Sequence, residues 1–206
     1  MAINMTKIKL CGLSRIQDIE TANTLKPDYI GFVFAAKSKR RVTQLQAAEL
    51  KSKLNPETKA VGVFLDDDLD MVAGMMNLGI VDVVQLHGSE DEEYIKKLRV
   101  ITDKPIIKAF VINTAEDVKR AEQSTADYIL LDGGKGSGKV FDWNLLKEIK
   151  RPYFLAGGLN TENAAQAVAS LKPFAVDVST GIETDGFKDA EKMTAFVAAV
   201  RKGESK

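Results

Sequence analysis

Short apolar segments recur along this chain with a regularity that few folds can absorb. They are Ile8–Cys11, Tyr29–Phe34, Ala60–Leu65, Val81–Leu86, Pro105–Phe110, Tyr128–Leu131, Tyr153–Ala156 and Phe174–Val178. Each is short, nearly continuous in its apolar character and rich in Val, Ile, Leu or Phe, which suits a strand buried on both faces. Between them the apolar residues fall at helical spacing. Ile16, Ile19, Ala22 and, with them, Asn23 lead to Leu25; Leu45, Ala48, Leu50 and Leu54 form a second set; Tyr94, Ile95, Leu98 and Ile101 a third; Ala164, Ala165, Val168 and Leu171 a fourth. Ser14, Thr43, Ser89, Thr114 and Asn160 are the predicted helix starts, several with Asp or Glu in the turn that follows. The pattern amounts to eight strand–helix units, about one per 25 residues.

Eight such units without a linker predict an α/β chain folded as one (β/α)8 barrel over residues 1–206, with frayed ends at 1–5 and 202–206. A doubly wound open sheet is the competing architecture, but it usually needs fewer strands, and no dinucleotide fingerprint follows the first one. The richest turn segment, Asp132–Lys139, is too short to divide domains and reads as a mobile loop after the sixth strand.

Composition narrows the function. Lys plus Arg and Asp plus Glu both number 29, so no global field favours nucleic acid or an anionic membrane. One cysteine cannot close a disulfide within the chain, and with one histidine there is no Cys/His cluster for zinc. The N-terminal residues lack the pattern of a signal peptide, and no apolar run has the length of a membrane span. The expectation is a cytoplasmic protein with no nucleic-acid or membrane partner.

In barrels of this kind the chemistry gathers where the strands end. Those ends carry Cys11, the run Lys37–Arg41, Gln85 and His87, Lys108, Asp132, Gly157-Gly158, and Asp177 with Ser179 and Gly181. After the seventh strand, Leu155–Asn163 (LAGGLNTEN) offers a close backbone approach at Gly157 and Gly158 and a helix start whose free N–H groups face the mouth. After the eighth, Ser179, Thr180 and Gly181 offer hydroxyl and amide donors. The two loops together predict a phosphate site. Gly136–Lys139 lacks Walker spacing, because Val140 follows Lys139.

Cys11 and Asp132 end the first and sixth strands, on roughly opposite sides of the predicted mouth. A thiol facing a carboxyl group suits a reaction in which one atom loses a proton and another gains one. Lys9, two residues before Cys11 on the same strand face, is expected to lower the thiol pKa. His87 is expected beside the substrate rather than as a catalyst.

The segments KLCGLS (9–14), DYIGFVFAAKSKRRV (28–42), VVQLHG (83–88), LLD (130–132), GSGKVFDW (136–143), LAGGLNTENA (155–164) and PFAVDVSTGIE (173–183) match, in order and spacing, the phosphoribosylanthranilate isomerases of tryptophan biosynthesis. The chain resembles that family over nearly its whole length. The resemblance implies an Amadori rearrangement of N-(5'-phosphoribosyl)anthranilate to 1-(o-carboxyphenylamino)-1-deoxyribulose 5-phosphate, a phosphosugar substrate, no cofactor and no metal. It implies Asp132 as general acid at the ring oxygen and Cys11 as general base at C2'. Arg40 would meet the anthranilate ring and carboxylate, and Asp177 would lie near the substrate, bonding a sugar hydroxyl or capping a short helix after the eighth strand. Lys39 stands where many members carry Pro. The glycine-rich loop after Asp132 would close as a lid. A monomer and a homodimer are both compatible with the sequence. Two other readings remain open here: another phosphosugar isomerase, such as the aminoimidazole carboxamide ribotide isomerase type, against which Cys11 argues, and a non-catalytic barrel that binds a phosphorylated ligand.

Overall fold

The computed structural model describes residues 5–134, 142–147 and 149–204. Eight parallel strands close into a barrel in chain order, the eighth pairing with the first. They are β1 (Lys7–Cys11), β2 (Tyr29–Val33), β3 (Lys59–Phe64), β4 (Val83–Leu86), β5 (Ile106–Val111), β6 (Tyr128–Asp132), β7 (Tyr153–Leu155) and β8 (Ala175–Val178). All eight expected segments are strands, with ends displaced by at most two residues.

The continuous apolar character has the expected cause, burial on both strand faces. Ile8, Leu10, Ile30, Phe32, Val84 and Leu86 point outward and pack with Ile19, Ala22, Leu50, Ile95 and Leu98 of the surrounding helices. Val61, Val83, Ile107, Ala109, Leu130, Phe154 and Ala175 point inward and fill the barrel. At the base, Phe154 meets Tyr29, Tyr128 and Phe174 at ring separations of 5.4, 5.7 and 5.6 Å. This aromatic plug closes the end opposite the mouth.

The helices are α1 (Ile16–Leu25), α2 (Gln44–Ser52), α3 (Leu69–Asn77), α4 (Glu92–Ile101), α5 (Ala115–Glu122), α6 (Ala164–Leu171) and α7 (Ala190–Glu204). Thr43 and Thr114 begin α2 and α5 as expected, each in a reciprocal capping box. Three starts differ. Arg15 opens α1, because the Asp18 carboxylate takes the N–H groups of both Ser14 and Arg15. Asp91, not Ser89, caps α4 through the Tyr94 N–H. Asn160 instead nucleates a turn before α6, accepting from Glu162 and Asn163. The sixth unit shows a 3₁₀ turn, Trp143–Leu146, among the described residues rather than an α-helix.

The short helix considered after the eighth strand is a hairpin, β9 (Glu183–Thr184) with β10 (Phe187–Lys188). Asp185 and Gly186 turn it at φ of 52° and 83°, the left-handed geometry that tight hairpins need. At the C-terminal end, residues 202–204 continue α7, and the Thr6 N–H donates to Glu204 at 2.5 Å. Positions 1–4 and 205–206 lie outside the described residues.

The strand register is tied at the base by a repeated device. Asp28, just before β2, accepts the Ile8 N–H of β1 at 2.9 Å; Asp82, before β4, accepts Ala60 of β3 at 2.8 Å; Asp127, before β6, accepts Ile106 of β5 at 2.7 Å. Each carboxylate also pairs with a cation, Lys7, Lys51 and Arg99 respectively. First-strand N–H groups with no ladder partner are thereby satisfied.

Candidate active site

Cys11 ends β1 with its side chain inward. Its register partner on β2 is Gly31, and a Cβ there would lie 2.6 Å from the Cys11 sulfur. The thiol occupies space that only glycine leaves. Beneath it lies Lys9, fully buried, whose Nζ donates to both Asp177 oxygens at 2.9 and 3.0 Å. Barrel closure makes this pair, since β8 lies beside β1 with Asp177 opposite Lys9. Burial pushes the Cys11 thiol up; Lys9 and Lys188 pull it down, and Asp177 pushes it up again, leaving it above the ordinary thiol value. Lys9 acts in the expected direction, but burial and Asp177 outweigh it. The Lys9 ammonium itself is opposed by burial, yet held above its usual value by Asp177 and Cys11.

Asp132 ends β6, partly exposed. Its Oδ1 accepts the Gly134 N–H at 2.9 Å, and its Oδ2 lies 3.5 Å from His87 Nε2. Gln85 Nε2 lies 2.8 Å from the other ring nitrogen, Nδ1. With the amide donating to Nδ1, the ring carries its proton on Nε2, facing Asp132. Burial raises the Asp132 carboxyl, but the hydrogen bonds from His87 and Gly134 outweigh it and hold the group below the ordinary carboxylate range. His87 thus touches the proposed acid, which sequence spacing did not reveal.

Arg40 reaches the mouth from the loop after β2. Its Nε and Nη2 donate to the two Glu183 oxygens at 2.5 and 2.6 Å, a side-on bidentate pair. Glu183 also accepts from the buried Lys188 Nζ at 2.5 Å. Neither Glu183 nor Lys188 was a candidate from sequence. The signal was present nonetheless, because Asp185-Gly186 is a two-residue hairpin turn that sets the two residues across from each other.

Cys11, Arg40, His87, Asp132, Gly157, Gly158, Asp177, Ser179 and Thr180 all line one cavity of about 280 Å³ at the C-terminal end of the barrel. Gly181 does not line it. A Cβ at Gly181 would sit 2.0 Å from the Leu159 carbonyl, and Gly181 bridges Asn160, so it holds the loops after β7 and β8 together. Lys108 also leaves the mouth. It follows Ile107 and precedes Ala109, which face the barrel interior, so it points outward and pairs with Glu90 at 2.8 Å. The lid expectation falls on the loop after Asp132, of which positions 135–141 lie outside the described residues. Among the described residues no group of His, Cys, Asp and Glu is placed to hold a metal ion, and no helix is long and apolar enough to cross a membrane.

Comparison with known proteins points to one family. The family model described as N-(5'phosphoribosyl)anthranilate (PRA) isomerase matches residues 8–199. The N-(5'-phosphoribosyl)anthranilate isomerase of Clostridium acetobutylicum is 46% identical over 207 residues, covering 96% of this chain and 99% of the relative. Among solved structures, the phosphoribosyl anthranilate isomerase of Thermotoga maritima superposes with a TM-score of 0.87 at 33% identity, over 96% of this chain and 99% of that one. A phosphoribosyl anthranilate isomerase in complex with reduced 1-(o-carboxyphenylamino)-1-deoxyribulose 5-phosphate gives a TM-score of 0.86 at 32% identity, with 96% and 99% covered.

Proposed function

The chain belongs to the N-(5'-phosphoribosyl)anthranilate isomerase family, and from that premise we propose that its mouth catalyses the Amadori rearrangement of N-(5'-phosphoribosyl)anthranilate to 1-(o-carboxyphenylamino)-1-deoxyribulose 5-phosphate. One observation carries the reading: the thiol of Cys11 and the carboxyl of Asp132 stand on the same cavity as the paired loops after β7 and β8. The phosphate binds at Gly157, Gly158, Ser179 and Thr180, where amide and hydroxyl donors can meet its oxygens. The anthranilate ring lies toward Arg40.

The sugar is then held with its ring oxygen toward Asp132 and its C2' toward Cys11. Asp132 protonates the ring oxygen, the C1'–O bond breaks, and the aryl nitrogen becomes a protonated Schiff base. That nitrogen is the electron sink for the next step. Cys11 removes the C2' proton, and the electrons shift toward nitrogen to give an enolamine. Tautomerisation returns a proton at C1' and leaves a ketone at C2', so substrate and product are isomers.

The free-site acidities give the starting protonation of the two groups. Asp132 favours its ionised form before substrate arrives. Filling the cavity excludes water and strengthens the burial that already pushes this carboxyl up, which favours the protonated form a general acid needs. Cys11 starts as a thiol, and the neighbouring cationic Schiff base favours its thiolate.

The decisive experiment is rescue of a tryptophan auxotroph lacking this step, together with conversion of freshly made phosphoribosylanthranilate followed by its fluorescence decay. Cys11→Ala and Asp132→Asn should each lower kcat by about 10²–10⁴-fold, the usual worth of a positioned acid or base. Rescue with undiminished turnover in both variants would remove the assigned roles. No rescue by the unaltered protein would remove the activity.

A further inference from the structure

Arg40 is not free to meet a ligand with its whole guanidinium. Its side-on edge, Nε and Nη2, is committed to Glu183. What remains toward the cavity is the end-on edge, Nη1 with the second proton of Nη2. Glu183 itself does not line the cavity, whereas Arg40 does. The carboxylate therefore stands behind the arginine.

Besides Arg40, two lysines hold Glu183. Lys188, its register partner across the β9–β10 hairpin, donates Nζ to Glu183 Oε1 at 2.5 Å. The same Nζ donates to the Ser179 carbonyl at 2.9 Å and approaches its hydroxyl at 3.3 Å. Lys192 donates to the Glu183 carbonyl at 2.7 Å, and Arg15 to that of Lys188 at 2.6 Å. Swinging Glu183 away would strand the buried Lys188 ammonium, so it is not a displaceable stand-in for a ligand carboxylate. Two cations and one carboxylate leave one net positive charge where the loops after β2 and β8 meet.

We propose that Glu183 is a positioning residue: clamped by Lys188, it fixes the plane of Arg40 so that the end-on pair of N–H groups faces the cavity, and it thereby sets the preference for a substrate whose aromatic ring bears a carboxylate. The chain Arg40–Glu183–Lys188–Ser179 also joins the ring end of the site to the phosphate end. An arginine without this brace samples many rotamers and loses much of its advantage as a planar fork. This inference rests on the isomerase reading above.

The test compares two stable ligands, reduced 1-(o-carboxyphenylamino)-1-deoxyribulose 5-phosphate and the same molecule without the ring carboxylate, by titration calorimetry. In the unaltered protein the first should bind more tightly. Glu183→Gln should weaken it by at least about tenfold while changing the second less than about twofold. Arg40→Ala should do the same, and the double variant should bind no worse than Arg40→Ala, because the two residues act through one contact. Equal weakening of both ligands, additive losses or tighter binding would each overturn the proposal. If Glu183→Gln does not fold, the Arg40 Nε–H resonance of the unaltered protein decides. It should stay protected from exchange when the carboxylated ligand binds; loss of protection would mean that Glu183 lets go and the proposal fails. If the unaltered protein binds neither ligand, the isomerase reading falls and takes this one with it. Binding by the unaltered protein with an unchanged Glu183→Gln variant removes the positioning role alone.

Discussion

At the scale of single residues, the candidate site is built around charges that are buried and already paired. Lys9 and Asp177 form a closed ion pair directly beneath the Cys11 thiol. Replacing Lys9 by Met leaves the Asp177 carboxylate unpaired in the barrel, which should cost about 3–5 kcal/mol in denaturant unfolding. It should also move the thiol further up, since the nearest cation is gone. The rate of iodoacetamide alkylation against pH reads this directly. The unaltered protein should show a midpoint above the ordinary thiol value and Lys9→Met a still higher one; a midpoint that falls would contradict the assignment. The sign for stability follows from the same shift. The unfolded chain loses its thiol proton first, so the fold loses stability as pH climbs from the ordinary thiol value through the raised one.

At the scale of elements, local sequence rules decided more than they first showed. The capping boxes at Thr43 and Thr114 were legible because they are contained within four residues. The hairpin at Asp185-Gly186 obeys an equally local rule, but its strands are only two residues each, too short for a period to register. The aspartates before β2, β4 and β6 are a third case. Asp-Tyr-Ile occurs at 28–30 and again at 127–129, a repeat visible in the sequence, yet its use requires knowing which strand lies alongside. Asp82→Ala should strand the Ala60 N–H and cost about 1–3 kcal/mol in unfolding, with kcat and KM unchanged. A large kcat loss in that variant would show that the base clamps reach the mouth.

At the scale of the whole molecule, the two ends of the barrel have separate duties. The base carries the aromatic plug around Phe154 and the aspartate clamps, and the mouth carries Cys11, Asp132 and His87. Phe154→Ala should cost about 3–5 kcal/mol, because the three remaining packed rings cannot collapse into the space left. Where the variant is still folded, kcat should stay within about threefold of the unaltered protein, since Phe154 lines the base of the barrel and not the mouth cavity.

What the sequence determined by itself was the architecture and the roster at the strand ends. Strand and helix periods arise from backbone sterics over a few residues, and eight repeated units leave little choice but closure. What only the tertiary structure decided was which of those polar groups share a charge. Lys9 and Asp177 lie 168 positions apart, and Arg40 and Glu183 lie 143 apart. Lys108, one residue out of phase, turned away from the mouth and paired elsewhere. Register and closure set these partnerships, because an ion pair needs contact at a few ångströms and no local pattern specifies which distant strand will supply it.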